Sequence, residues 1–185
     1  MFPLLYSYRL NLFGPWSLVR RALPTLLVIV WSLWLGGLVV LFLSVHSLFI
    51  TFASDHAIAG EAASGIFTRF NRYQLVLAGI ALVGSFMWRI SSGRGAVTGL
   101  FFCFGLASFA AIVAAHIATH LEGMRLAYQT HTPQFIRLHG LSMLLYFSEI
   151  IMLFVSGILL PYLIRRITQD EMRGFGVQGS GFRKE

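Results

Sequence analysis

The stretch ALPTLLVIVWSLWLGGLVVLFLSVHSLFITFAS, residues 22–54, fills the 33 positions between Arg21 and Asp55 without one charged side chain. A helix rises 1.5 Å per residue, so about 20 apolar residues cross the hydrocarbon core of a bilayer. This run has length to spare and must tilt or project at one end. Pro24, near its start, suits the first turn of a helix. Three further runs follow. Residues 73–88, between Arg72 and Arg89, number only 16, so this span has to recruit Phe67 and Phe70 while both arginines snorkel. Residues 95–121 and 138–164 number 27 each, and Glu149 alone interrupts the last. The expected fold is all-α: a polytopic integral membrane four-helix bundle.

Composition agrees. Of 185 residues, 57% are hydrophobic and 11% charged, whereas a soluble domain carries roughly 25% charge. A globule of this size cannot hide so much apolar side chain, which excludes a soluble protein. The net charge of +7 is broken into short clusters between apolar runs, the pattern of basic loops touching lipid head groups. That argues for membrane lipids as partners and against nucleic acid. The one cysteine, Cys103, excludes an intrachain disulfide and any CxxC site.

Counting basic residues by side places both termini in the cytoplasm. Arg9, Arg20, Arg21, Arg89, Arg94, Arg165, Arg166, Arg173, Arg183 and Lys184 fall on one side, against Arg69, Arg72, Arg125 and Arg137 on the other. Three regions result: residues 1–23, a leader read as an interfacial segment; residues 24–166, the four-helix transmembrane domain, whose first apolar run reads as a retained signal anchor; and residues 167–185, a basic tail expected to be mobile. Arg20, Arg21, Trp31, Trp34, Arg165 and Arg166 are read as lipid or partner contacts, with space filling inside the first span as the alternative for the two tryptophans.

All six histidines fall on the outward side of this topology. His116 and His120, four apart, project from one helix face, a spacing that suits two ligands of one transition metal. His139 offers a third ligand and His46 a fourth; facing pairs of the same residues suit a haem iron instead. Histidines at a headgroup boundary also serve simply as interfacial hydrogen-bonding groups. Deeper, Glu149 lies about 15 Å below the outer end of the fourth span, on one stripe with His139, Ser142, Tyr146 and Ser156. An ionisable group at that depth faces the bundle interior, on an ion or proton path or as a neutral hydrogen-bonding partner of another helix. The rows Ala107, Ala111, Ala115 and Ala110, Ala114, Ala118 let helices approach closely, and Gly36 and Gly37 serve similarly. No GxSxG, HExxH or P-loop occurs.

Two stretches carry a resemblance. Trp34-Leu35-Gly36-Gly37, followed by Gly60, Ala63, Gly65, Ile66, Phe67 and Phe70, and then Arg137-Leu138-His139-Gly140-Leu141-Ser142, resemble the TMEM205-like four-helix membrane protein family, a domain of unknown function. The likeness spans residues 30 to 164. It implies a small helical membrane protein without established enzymatic activity, in the inner (plasma) membrane of a bacterium. The family's third helix ends with Asn and Pro, whereas this chain has Ala115-His116-Ile117-Ala118-Thr119-His120.

Three functions stand as expectations. The first is a non-enzymatic membrane protein binding a transition metal at the outward histidines. The second is an accessory subunit docked to a larger membrane complex or a homo-oligomer. The third is a b-type haem carrier.

Overall fold

The computed structural model describes residues 15–92 and 95–179. They form four helices, α1 (Pro15–Thr51), α2 (His56–Ser92), α3 (Gly95–Leu126) and α4 (Pro133–Gly179). Each contains a stretch long and apolar enough to cross a membrane, and the protein is a small integral membrane protein. Short connections make successive helices antiparallel, so both described ends lie at one end of the bundle. The 52–55 and 127–132 turns lie at the other, called here the loop end. Each helix packs on its chain neighbours, and α1 also closes on α4, while the diagonal pairs α1–α3 and α2–α4 stay apart at the backbone.

The helices start and stop for local reasons. Asp55 Oδ1 accepts the backbone N–H of Ala57 at 3.1 Å and of Ile58 at 3.2 Å, capping α2. Thr132 Oγ1 does the same for Phe135 before Pro133 opens α4. α3 ends with Tyr128 at φ 55°, its N–H donating to Arg125 while that of Gln129 reaches back to Met124. These are the two bonds of a helix-terminating turn that usually holds glycine.

Two boundaries differ from the sequence expectation. α1 begins at Pro15 and puts Pro24 inside the helix rather than in its first turn. α4 continues to Gly179, through residues read as a mobile tail. In both cases a helix already nucleated in the span propagates into the flanking residues, past Pro24 in α1 and past Gly174 and Gly176 in α4. The interfacial reading of residues 1–14 lies outside the described residues, as do the side chains of Arg20 and Arg21.

Interior positions recur at intervals of three and four residues. On α1 they are Leu23, Leu27, Val30, Trp34, Leu38 and Leu41. On α4 they are Ser142, Tyr146, Glu149, Leu153, Ser156, Leu160 and Leu163. This is the seam of helices crossing at shallow angles. The outer faces are apolar as well, with Val40, Leu43, Val83, Phe109, Leu144 and Phe154 all exposed, which is the surface lipid requires. Ala107, Ala110, Ala111 and Ala114 on α3 are buried, as expected of a close-packing stripe.

The α1–α4 seam is the loosest of the four, and tryptophan fills it. Trp31 donates its indole N–H to the carbonyl of Leu153 at 2.6 Å, and its ring lies directly over Gly157, where a methyl group would fall inside the indole. Gly157→Ala is expected to destabilise the bundle by about 1–3 kcal/mol, the usual result of overpacking, read as an earlier unfolding midpoint in mixed micelles. Adding Trp31→Leu should restore part of the loss. Gly36→Ala, where an added methyl meets nothing within 4 Å, should change little; equal midpoints for the Gly157 and Gly36 variants would refute this account of the seam.

Candidate functional site

Polar side chains buried in an apolar bundle need partners, and here they gather along its axis. Among the described residues Asn71, Gln74, Ser85, Ser108, Ser142, Glu149 and Ser156 are the buried polar ones. Glu149 on α4 accepts the indole N–H of Trp34 on α1 at 2.5 Å. One turn nearer the loop end, Tyr146 donates its hydroxyl to Asn71 Oδ1 at 2.7 Å, and Gln74 donates its amide to the same oxygen at 3.1 Å. The Tyr146–Asn71 bond spans the diagonal between α4 and α2, whose backbones do not meet. Among the described residues three buried oxygens have no partner: Glu149 Oε2, Gln74 Oε1 and Ser108 Oγ.

Above this network a cleft of about 820 Å³ opens toward the loop end. Phe42, Phe49, Phe67 and Phe135 wall it. Tyr146 floors it, its ring held edge-on by Phe42 at 6.2 Å and tilted against Phe67 at 5.6 Å. On one side Arg125 grips Glu122 through two bonds of 2.8 and 2.9 Å. The same carboxylate takes the hydroxyl of Ser64 at 2.5 Å, tying α3 to α2. His56, His131 and His139 also line the cleft, as does Ser142.

The expected metal set does not assemble. His116 and His120 do pair, with ring centroids 4.9 Å apart, but both are exposed, as is His46. None of these three lines the cleft that holds His139, whose ring instead stacks on Phe135. Among the described residues no three His, Cys, Asp or Glu side chains are placed to hold one metal ion. The reason is rotational: the 116/120 face of α3 is not the face that meets α4, which its alanines occupy. The facing imidazoles wanted for haem are separated in the same way.

Of the two readings of Trp34, space filling within the span and contact with lipid or a partner, its burial fits the first. Trp34 is fully buried, and Trp31 is half-buried against α4. Arg165 and Arg166 are exposed near the terminal end of α4. Ser142, Tyr146 and Glu149 form one interior stripe, as the helical spacing requires. Sequence reasoning missed Asn71, Gln74 and Ser108. Asn71 and Gln74 are a turn apart, and such a pair of uncharged amides beside an apolar run was the available signal. The Ser64–Glu122–Arg125 link gave none beyond the i,i+3 spacing of its ion pair.

Asn71→Leu leaves both Tyr146 and Gln74 with unpaired buried donors, each costing roughly 1–3 kcal/mol. Tyr146→Phe removes one donor while Asn71 keeps its bond to Gln74, at a cost of about 1 kcal/mol. Thermal midpoints in one detergent should therefore rank wild type, Tyr146→Phe, then Asn71→Leu; the reverse order of the two variants would show that the network is not what holds the diagonal.

No family model, curated protein or solved structure matches this chain, and its own residues carry the functional reading.

Proposed function

We propose that this four-span membrane protein is a non-enzymatic binding protein that takes a small amphiphile into the loop-end cleft. The observation that carries the reading is the cleft itself. Its volume of about 820 Å³ falls in the range of roughly 300–1,000 Å³ for small-molecule sites, which are likewise mostly apolar with a few convergent polar groups. Four phenylalanine rings suit an apolar body. The imidazoles at the wall suit a head that accepts hydrogen bonds, a carbonyl or a carboxylate, since Glu122 already neutralises Arg125 and takes the hydroxyl of Ser64. The TMEM205-like resemblance supports the same site, because Gly60, Ala63, Phe67, His139 and Ser142, which carry it, all line the cleft. Membership of that family, a bacterial inner membrane and cytoplasmic chain ends belong to this proposal.

Gly60 provides the test. A Cβ there meets no atom within 4 Å, so Gly60→Phe fills the cleft without moving the backbone. Binding of a fluorescent long-chain fatty acid to the purified protein should weaken by about tenfold or more, equivalent to about 1.4 kcal/mol, with the thermal midpoint unchanged. Undiminished binding would remove the cleft from consideration.

One observation favours the accessory-subunit reading as a second. Phe70 and Tyr73 of α2 abut Gly37, and the Tyr73 hydroxyl reaches the carbonyl of Leu33. Residues 70–73 therefore lie level with the middle of the charge-free 22–54 run. Arg69 and Arg72 are exposed at this depth, and among the described residues neither has a carboxylate in salt-bridge contact. A guanidinium facing hydrocarbon costs at least ~2.5–3.5 kcal/mol, a cost that a partner helix presenting a carboxylate would offset. After mild extraction the native protein should then migrate in a larger complex, and Arg69→Leu/Arg72→Leu should migrate alone. A native protein that is monomeric in several detergents would eliminate this reading.

A further inference from the structure

The three unpartnered oxygens come from three different helices and lie within about 8 Å of one another in depth. Trp34 sets the level, because it bonds Glu149 on α4, while the neighbouring Leu33 carbonyl meets Tyr73, next to Gln74 on α2. The Phe86–Phe101 contact fixes the antiparallel register of α2 and α3, and Cys103 beside Ser156 fixes that of α3 and α4. By these registers Ser108 lies roughly 3 Å from the level of Glu149 and about 8 Å from that of Gln74 at 1.5 Å per residue. Gln74 and Glu149 each follow the two ends of the Asn71–Tyr146 bond by three residues, on helices that run parallel. Both are thus carried one turn deeper on the same axis.

The chemistry of this group is one-sided. Glu149 Oε2 as a carboxylate and Gln74 Oε1 are acceptors only, and Ser108 Oγ can accept. Gln74 and Glu149 are fully buried and Ser108 is 1% exposed. Such atoms are almost always satisfied in folded proteins, and buried acceptors supplied by three helices call for a positive centre. Its charge follows from the surroundings. Trp34 on α1 bonds Glu149 and Tyr146 lies beside it on α4; the other polar or titratable side chains of the interior near this level are Asn71 and Gln74 on α2, Ser108 and, farther down, Cys103 on α3, and Ser156 on α4. Glu149 is the one acidic or basic residue buried among the described residues. A single positive charge neutralises the site, whereas a divalent ion would leave an uncompensated charge in low dielectric. An all-oxygen set of this kind suits a hard cation rather than a soft metal.

We propose that Glu149, Gln74 and Ser108 form a mid-membrane site for one exchangeable monovalent cation, a proton or a sodium ion. The site is reached from the cleft past Tyr146, and it stands whether or not the cleft takes an amphiphile. Infrared difference spectroscopy of the full chain in lipid nanodiscs tests it, first with pH stepped in choline chloride, then with sodium replacing choline at fixed pH. A protonated-carboxyl band that vanishes as pH rises and is missing from Glu149→Gln is the expected result. Gln74→Leu and Ser108→Ala, which keep the carboxyl, should each move the midpoint of the band by about tenfold in cation concentration. Loss of the band on adding sodium identifies a sodium site; indifference to sodium identifies a proton site. A band that answers to neither series, or midpoints in Gln74→Leu and Ser108→Ala equal to wild type, would overturn the proposal.

Discussion

A carboxyl group enclosed by apolar helices at the middle of a bilayer is the constraint around which this bundle is arranged. Leaving such a group without hydrogen bonds costs several kcal/mol, so the fold must bring a donor to it. That donor is the Trp34 indole, one helix away. The same demand explains why α4 turns Ser142, Tyr146, Glu149 and Ser156 inward although lipid would accept any apolar face. In a membrane, where burial of apolar surface gives helices little reason to choose one neighbour over another, polar pairs and small residues determine which faces meet.

Meeting that demand has a geometric consequence. An indole is wide, and two of them, Trp31 and Trp34, occupy the α1–α4 seam. Trp31 fits only because position 157 has no side chain. The two indoles thus bridge α1 and α4 in the half of the bundle nearer the chain ends. Toward the loop end Phe42 still touches Tyr146, but beyond it the aromatic side chains line a cleft instead of filling it. The polar axis and the cleft are therefore two products of one packing arrangement, joined at Tyr146, whose hydroxyl belongs to the first and whose ring belongs to the second.

Much of this was legible from charge spacing alone. Four spans follow from runs such as 22–54 because the bilayer sets a length that no local propensity can change. The inward stripe of α4 follows from the helical period. What could not be read was rotation and register. An apolar helix surrounded by lipid carries no hydrophobic side to orient it, so α1 gave no sign that Trp34 faces inward while Leu33 faces out. Asn71 and Gln74 belong to the same difficulty, since their importance depends on which helix lies across the axis. The ends of α1 and α4 were misplaced for a different reason, namely that helices extend past the hydrocarbon wherever the flanking residues permit.

The histidines show how position along the chain and position in space part company. Six imidazoles on one side of a membrane suggest a shared ligand, and His116 and His120 do stand together as their spacing demands. Yet α3 is wedged between α2 and α4 by its alanines, and those small side chains claim the interior. The larger imidazoles are left to point away, one pair outward on α3 and His139 into the cleft. Where small residues decide the contact, bulky polar residues on the same helix are displaced from the axis. Most of the polar groups that remain there come from helices whose interior stripe is itself polar, α2 and α4, and among the described residues α3 adds only the small Ser108.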